Sequence, residues 1–251
     1  MSRIIALAYG LIAYALFLAT ILYAIGFVGD FGVPKGMDAG RPAPLAEAFI
    51  VNIALLFVFA IQHSLMARPA FKRWWTQFVP KPVERSTYVI FASSALLLVF
   101  WQWRPMTQVV WSVTAPAAVA VIWVLFWAGW AGVFLSTFLI NHFDLFGLKQ
   151  VWEFRRRRDV PEARFMTPLF YQVVRHPLYL GFIIAFWAAP TMTAGHLLFA
   201  TVTTTYILFA IRLEERDLID AFGGVYVAYR KRVPMLLPMP QRPSSNDSYP
   251  A

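Results

Sequence analysis

Cysteine is missing from this 251-residue chain, which rules out disulfides, thiolate metal sites, iron–sulfur clusters and a cysteine nucleophile. Charge is sparse. Asp, Glu, Lys and Arg supply 14% of the residues, where an ordinary soluble domain carries about 25%. The apolar runs lack the strict alternation that a closed membrane barrel requires. No internal repeat marks a transporter of the repeat-built kind. Among four histidines neither His-x-x-x-His nor Glu-x-x-His spacing occurs, so no local metal signature is present and no metal is expected.

What remains is apolar: 59% of the residues are hydrophobic and 17% aromatic. Six stretches read as membrane segments, at 4–28, 44–66, 86–103, 112–140, 178–190 and 194–213. They predict an all-α polytopic membrane helix bundle of five to six segments that ends in a C-terminal helical hairpin. The first run is too long for a signal-peptide core and lacks a small-residue cleavage site, so it reads as a retained helix. The fifth is short, about 20 Å at 1.5 Å per residue, and predicts a tilted hairpin with the sixth. Glycines and prolines at 29–43, Pro80-Lys81-Pro82 and Arg104-Pro105 read as breaks between segments.

The net charge of +9 raises the question of nucleic acid, but its distribution argues against it. Of 22 Lys and Arg residues, only Lys35, Arg41 and Arg104 fall in one set of alternate loops. The rest sit at Arg3, in the 67–86 and 141–177 loops, and from Arg212 onward. The positive-inside rule then places both termini and both basic loops in the cytoplasm, where the cations meet anionic lipid headgroups. Four parts follow: a transmembrane bundle at 1–140, a cytoplasmic connector at 141–177, a hairpin and C-terminal ligand-binding segment at 178–238, and a polar, Pro/Ser-rich tail at 239–251 expected to be disordered.

This topology groups the unusual residues. His63, Asn141, His142, Asp144, His176, Glu214 and Glu215 fall at cytoplasmic helix ends, and His196 alone on the far side. Ionisable groups at membrane depth are costly and therefore functional candidates. Each also has a plainer reading. His63 can sit among headgroups, and Asn141-His142-Phe143-Asp144 can be a capped helix end. Arg155 to Arg158 read as a lipid-facing charge run, Trp101, Trp103 and Trp111 as interfacial belt residues, and Asn52 as an interhelical hydrogen-bond partner.

Arg175-His176-Pro177-Leu178-Tyr179-Leu180-Gly181 is harder to set aside. Pro177 suits the first position of a helix, and Gly181 permits close approach of another backbone or of a ligand. Glu214-Glu215 closes the partner helix of the hairpin, followed by Phe222-Gly223, Tyr226, Tyr229 and Arg230-Lys231-Arg232. A ligand with a ring to stack, a diol to donate and a carboxylate to pair with arginine would suit this mixture.

These C-terminal elements, with Arg232-Val233-Pro234, resemble the isoprenylcysteine carboxyl methyltransferase superfamily of integral membrane enzymes over about 70 residues. The upstream segments Gln62-His63-Ser64-Leu65-Met66-Ala67-Arg68, Glu84 to Tyr88, Trp101 to Pro105 and Asn141 to Leu148 resemble the bacterial methanethiol S-methyltransferases within it. The resemblance implies S-adenosylmethionine as cofactor, a small thiol as acceptor and methylation of methanethiol to dimethyl sulfide, in the inner membrane with the site open to the cytoplasm. It implies that His176, Tyr179, Leu180 and Gly181 line the cofactor, that Glu214 and Glu215 hold its ribose or amino group, and that Tyr226, Tyr229, Arg232 and Pro234 close the site. The thiol must lose a proton, so His63 or His142 is expected to accept it or to steer the thiol, with Asn141 and Asp144 orienting the imidazole. Two other readings stay open: a lipid or prenylated-cysteine acceptor, and a non-enzymatic membrane protein linked to nitrogen-oxide metabolism.

Overall fold

The computed structural model describes residues 1–159 and 165–238. In chain order the elements are α1 (Arg3–Gly29), α2 (Leu45–Ala67), α3 (Pro69–Trp75), α4 (Lys81–Gln102), β1 (Val109–Ser112), α5 (Pro116–Ile140), α6 (His142–Leu145), α7 (Leu148–Arg155), α8 (Phe170–Val173), α9 (Pro177–Trp187), β2 (Thr191–Thr193), α10 (Ala194–Phe222) and α11 (Gly224–Arg232). Five of these helices, α1, α2, α4, α5 and α10, are long and apolar enough to cross a membrane, and α9 is a shorter apolar helix. The expected tail at 239–251 lies outside the described residues.

Helix boundaries follow backbone chemistry more than hydropathy. Pro82 does not break the chain. It sits in the first turn of α4, where a missing N–H costs nothing, so the helix begins at Lys81 rather than at 86. The expected segment at 112–140 starts instead at Pro116, because Val109–Ser112 pairs antiparallel with Thr191–Thr193. This small sheet ties the α4–α5 connection to the α9–α10 turn, and no periodicity in such short strands announces it. The largest difference is α10. It runs through Glu214 and Glu215 to Phe222, rather than ending at 213. At 1.5 Å per residue its 29 residues span about 43 Å, well beyond a hydrocarbon core of about 30 Å. The surplus carries both glutamates past the apolar layer on the same rigid rod.

The core lies where α1, α4, α5, α9 and α10 meet, around Phe27, Val99, Trp103, Phe126, Trp130, Phe186 and Phe199. Trp103 is fully buried there, edge-on to Phe27 and Phe199, and so is not an interfacial residue. Trp101, 71% exposed, fits the belt expected of it. Asn52, fully buried on α2, donates to the Arg104 carbonyl and accepts from the Arg104 N–H, each at 2.8 Å. It caps the end of α4 across the bundle, which agrees with a structural reading. His196 is likewise buried, its Nε2 2.8 Å from the Phe186 carbonyl.

Helix alternation brings the start of α1, the α2–α4 connection, the described residues of the 141–177 connector and the end of α10 to one end of the bundle. Contacts across that end confirm the grouping. Arg68 pairs with Asp217 at 2.9 Å, Arg85 Nε donates to the Leu145 carbonyl at 2.8 Å, and Arg3 lies over the Phe154 ring. This basic end holds the candidate site. Among its described residues the connector carries three short helices, α6 to α8.

Candidate active site

The Arg175–Gly181 motif enters α9 through Pro177 at its first position. The backbone N–H groups just before the helix cannot be paired within it. They are taken by the C-terminal segment instead: the Arg175 N–H donates to the Pro234 carbonyl at 2.9 Å and the His176 N–H to the Met235 carbonyl at 3.2 Å. Pro234 thus acts through its backbone. Glycine makes this return possible, since Gly223 turns α10 into α11 at φ 58° and ψ −132°, a conformation that side chains forbid.

Glu215 is the hub. Its Oε1 accepts from Arg175 Nε at 2.7 Å and lies 3.1 Å from His176 Nε2, while Oε2 faces Arg230 at 3.8 Å. Arg175 reaches onward to the carbonyls of Val233 (2.6 Å) and Arg230 (3.0 Å). The buried acid therefore joins α9, α10, α11 and the residues after it. Glu214 points elsewhere, accepting from the Tyr179 hydroxyl at 2.8 Å. The two adjacent glutamates have separate duties, which their shared place in the motif does not reveal.

Tyr226 and Tyr229 are buried on α11 against Phe165, Leu218, Ile219 and Phe222. The Tyr229 hydroxyl donates to the Tyr171 carbonyl. Burial pushes its phenol up to about 12, so it stays a neutral donor. Burial also raises Tyr226, yet its hydroxyl has no hydrogen-bond partner among the described residues. An unpaired buried hydroxyl is costly, which makes Tyr226 a candidate ligand contact. Arg232 lies in the last turn of α11 with Arg230 and Lys231. Leu180 is half-buried on α9. Gly181 faces α5, where its backbone packs on Gly129 and Val133.

The acceptor-side residues fall into two places. His63 on α2 has the Tyr88 hydroxyl 3.0 and 3.1 Å from its two ring nitrogens and the Phe59 ring 5.2 Å away. His142 is buried among Tyr14, Phe17, Phe138 and Phe146. Its Nε2 lies 2.8 Å from the Tyr14 hydroxyl and its Nδ1 2.8 Å from Thr137 Oγ1. Both nitrogens are therefore engaged. Asp144 does not orient that ring, because its carboxylate takes Gln150 at 2.6 Å and Lys149 at 3.3 Å. Asn141 ends α5, its N–H donating to Thr137 and its carbonyl accepting from Asp144 and Leu145. Asn141 closes α5 through its backbone and makes no side-chain cap hydrogen bond to α6.

Burial lowers the His142 pKa from the ordinary histidine value. The folded protein then binds that proton less readily than the unfolded chain, so unfolding takes up a proton between the two pKa values. Stability should fall as pH drops through that window. Thermal unfolding in detergent at about pH 7 and about pH 5 should show a larger loss for the wild type than for His142→Gln. Equal losses would show that the ring does not titrate on unfolding.

Arg175, Arg230, Tyr88 and Tyr206, the last on α10 with its hydroxyl 3.0 Å from Ser64 Oγ beside His63, were not singled out as candidate site residues. Arg175 stood within the motif, and Tyr88 within a segment already notable for its resemblance. Tyr206 had no signal, since a tyrosine in an apolar helix reads as packing.

The sequence pattern of the Isoprenylcysteine carboxyl methyltransferase (ICMT) family matches residues 130–220. Methanethiol S-methyltransferase 1 of Bradyrhizobium diazoefficiens is 58% identical over 236 residues, covering 94% of this chain and 83% of that protein. Methanethiol S-methyltransferase of Mycobacterium tuberculosis is 55% identical over 242 residues, covering 96% and 99%. More distantly, mouse Nurim is 31% identical over 205 residues, covering 74% and 78%. No solved structure matches. With five membrane-length helices and this likeness along nearly its whole length, the chain belongs to the methanethiol S-methyltransferase family of integral membrane methyltransferases.

Proposed function

We propose that the protein methylates methanethiol to dimethyl sulfide with S-adenosylmethionine as donor. The observation that carries this reading is identity above half to methanethiol S-methyltransferases over more than nine-tenths of the chain. The basic end of the bundle, with both termini, is proposed to face the cytoplasm of a bacterial inner membrane, where a soluble cofactor can enter. The division into an N-terminal bundle (1–140), a connector (141–177) and a cofactor-binding hairpin with C-terminal segment (178–238) is proposed to be functional as well.

When bound, the cofactor supplies an electrophilic methyl group on a sulfonium; the protein supplies position and electrostatics. The fit is supported by the unpaired Tyr226 hydroxyl beside the Glu215 hub and by the three cations at the end of α11. In this reading Glu214 with Tyr179 accepts from a hydroxyl or amino group of the cofactor. Arg232 pairs with its carboxylate, and Tyr226 and Tyr229 close over it. His176, Arg175 and Glu215 hold α9 and α11 together so that these contacts are preformed. His63 is preferred over His142 as the thiol's proton acceptor, because one hydroxyl, that of Tyr88, lies near both its ring nitrogens, whereas each nitrogen of His142 has a partner of its own. Alignment of thiol and methyl donor in a dry pocket lowers the barrier by several kcal/mol.

The test incubates purified protein with labelled S-adenosylmethionine and, separately, methanethiol, larger thiols, prenylcysteine and phosphatidylethanolamine. Label is expected in dimethyl sulfide. Label in the prenyl or lipid product, with none in dimethyl sulfide, would overturn the acceptor assignment. Calorimetry showing no cofactor binding would overturn the donor.

A further inference from the structure

We propose that the acceptor thiol binds against Tyr88, and that Tyr88 and His63 form the proton relay that ionises it. The inference rests on the methanethiol reading above and adds to it the site of the acceptor and a residue with no assigned role.

Four helices bring polar groups to one place at the basic end of an otherwise apolar bundle. Tyr88 comes from α4, His63 and Ser64 from α2, Tyr179 from α9, and Tyr206 and Glu214 from α10. The Tyr88 hydroxyl meets His63, the Tyr206 hydroxyl lies 3.0 Å from Ser64 Oγ, and the Tyr179 hydroxyl donates to Glu214. These three pairs adjoin. Tyr88 lies in the fields of Arg85, Tyr206, Arg68 and Glu214, and Tyr179 in those of Glu214, Tyr206 and Tyr88. The Tyr179–Glu214 pair belongs to the cofactor side, so Tyr88 and His63 stand next to the place where a methyl group would be offered.

The surroundings suit a small apolar thiol. Phe59 packs on His63 and against Tyr206, and Phe17 and Phe146 pack against the cluster that Tyr88 forms with Met66 and Val89. The Arg85 guanidinium sits 5.1 Å from the Tyr88 ring centroid, anchored through Nε to the Leu145 carbonyl. A cation so placed favours a thiolate over a thiol, which the nucleophile must become. The stacked Phe17–Phe146 pair, ring centroids 3.7 Å apart, packs against the Met66, Tyr88 and Val89 cluster and against His142, so His142 supports this wall from outside it.

The step balances. The thiol S–H proton passes to the Tyr88 oxygen while the phenol proton passes to a His63 ring nitrogen. The sulfur lone pair forms the new S–C bond to the donor methyl, whose old C–S bond breaks with its electron pair remaining on the departing thioether sulfur. His63 then returns its proton to solvent.

Tyr88→Phe in the full-length protein separates this relay from simple packing, because it removes only the hydroxyl. With methanethiol, kcat should fall about 100-fold. With hydrogen sulfide, far more acidic than methanethiol and substantially ionised near neutral pH, the loss should stay under about tenfold. S-adenosylhomocysteine affinity by calorimetry should be unchanged. A readout without turnover is the ultraviolet thiolate absorbance on adding methanethiol to protein loaded with S-adenosylhomocysteine, present in the wild type and lost in the variant. His63→Gln should reproduce the pattern if Tyr88→Phe folds poorly. Equal losses with both thiols, or wild-type turnover in the variants, would overturn the relay while leaving the methanethiol reading intact. A wild type that binds the cofactor yet methylates no thiol would overturn both.

Discussion

Glu215→Ala should abolish cofactor binding and destabilise the protein by about 4 kcal/mol. The glutamate side chain is 11% exposed, its Arg175 partner 10% and its His176 partner 4%. Removing the acid leaves a guanidinium and an imidazole buried beside each other with no counter-charge, and that penalty exceeds the loss of the hydrogen bonds themselves. Arg175 also holds the Val233 and Arg230 carbonyls, so its release frees α11 and the tyrosines on it. Glu215→Gln keeps shape and one acceptor but not charge, and should fall between alanine and wild type. Thermal unfolding in detergent and calorimetry with S-adenosylmethionine measure both effects. An alanine variant with wild-type melting and affinity would show that the hub contributes nothing.

Gly181→Val should destabilise by about 3 kcal/mol and weaken cofactor binding by at least about tenfold. A Cβ at Gly181 would stand 2.8 Å from the Gly129 carbonyl oxygen and 2.9 Å from the Val133 nitrogen. The contact is reciprocal, since a Cβ at Gly129 would stand 2.7 Å from the Ala185 nitrogen. These are backbone atoms and cannot rotate away, so α9 and α5 must separate. Close helix approach through small residues is how apolar helices pack in lipid, where no hydrophobic drive holds them together. Because α9 begins at Pro177, its displacement carries His176 and Tyr179 away from Glu215 and Glu214. Gly132→Ala is the control. Its Cβ meets only the Gly181 Cα at 3.9 Å, so it should change stability by less than about 0.5 kcal/mol. If both variants melt together, the α5–α9 contact is looser than its geometry implies.

Much of the fold was legible because hydropathy is a property of contiguous residues. The runs near 4–28 and 44–66 became α1 and α2 with ends shifted by a residue or so. Asn52 was read as a structural partner and is one, since a lone amide in a long apolar helix must find a hydrogen bond. The ends of α4, α5 and α10 were less legible. Pro82 and Pro116 sit inside first turns, and nothing in composition distinguishes that place from a break. Glu214 and Glu215 look like the end of a span by charge, but helix geometry continues through them.

The site divides the same way. The Arg175–Gly181 motif, Glu215, Tyr226 and Tyr229 were recognisable as a group because their order along the chain is distinctive. Their partners were not: Arg175 with Glu215 lies across 40 positions, and Tyr14 with His142 across 128. His63 and His142 looked equivalent as candidates, and Gly181 looked equally suited to a ligand and to a helix. By itself the sequence determined a membrane helix bundle with its basic residues at one end and the family motif in its last third. Only the tertiary structure decided that His142 is held on both nitrogens, that Gly181 packs on α5, and that the Tyr88 hydroxyl meets His63. Hydropathy and motifs are local along the chain, whereas the partner of a buried polar group is chosen by whichever distant helix packs against it.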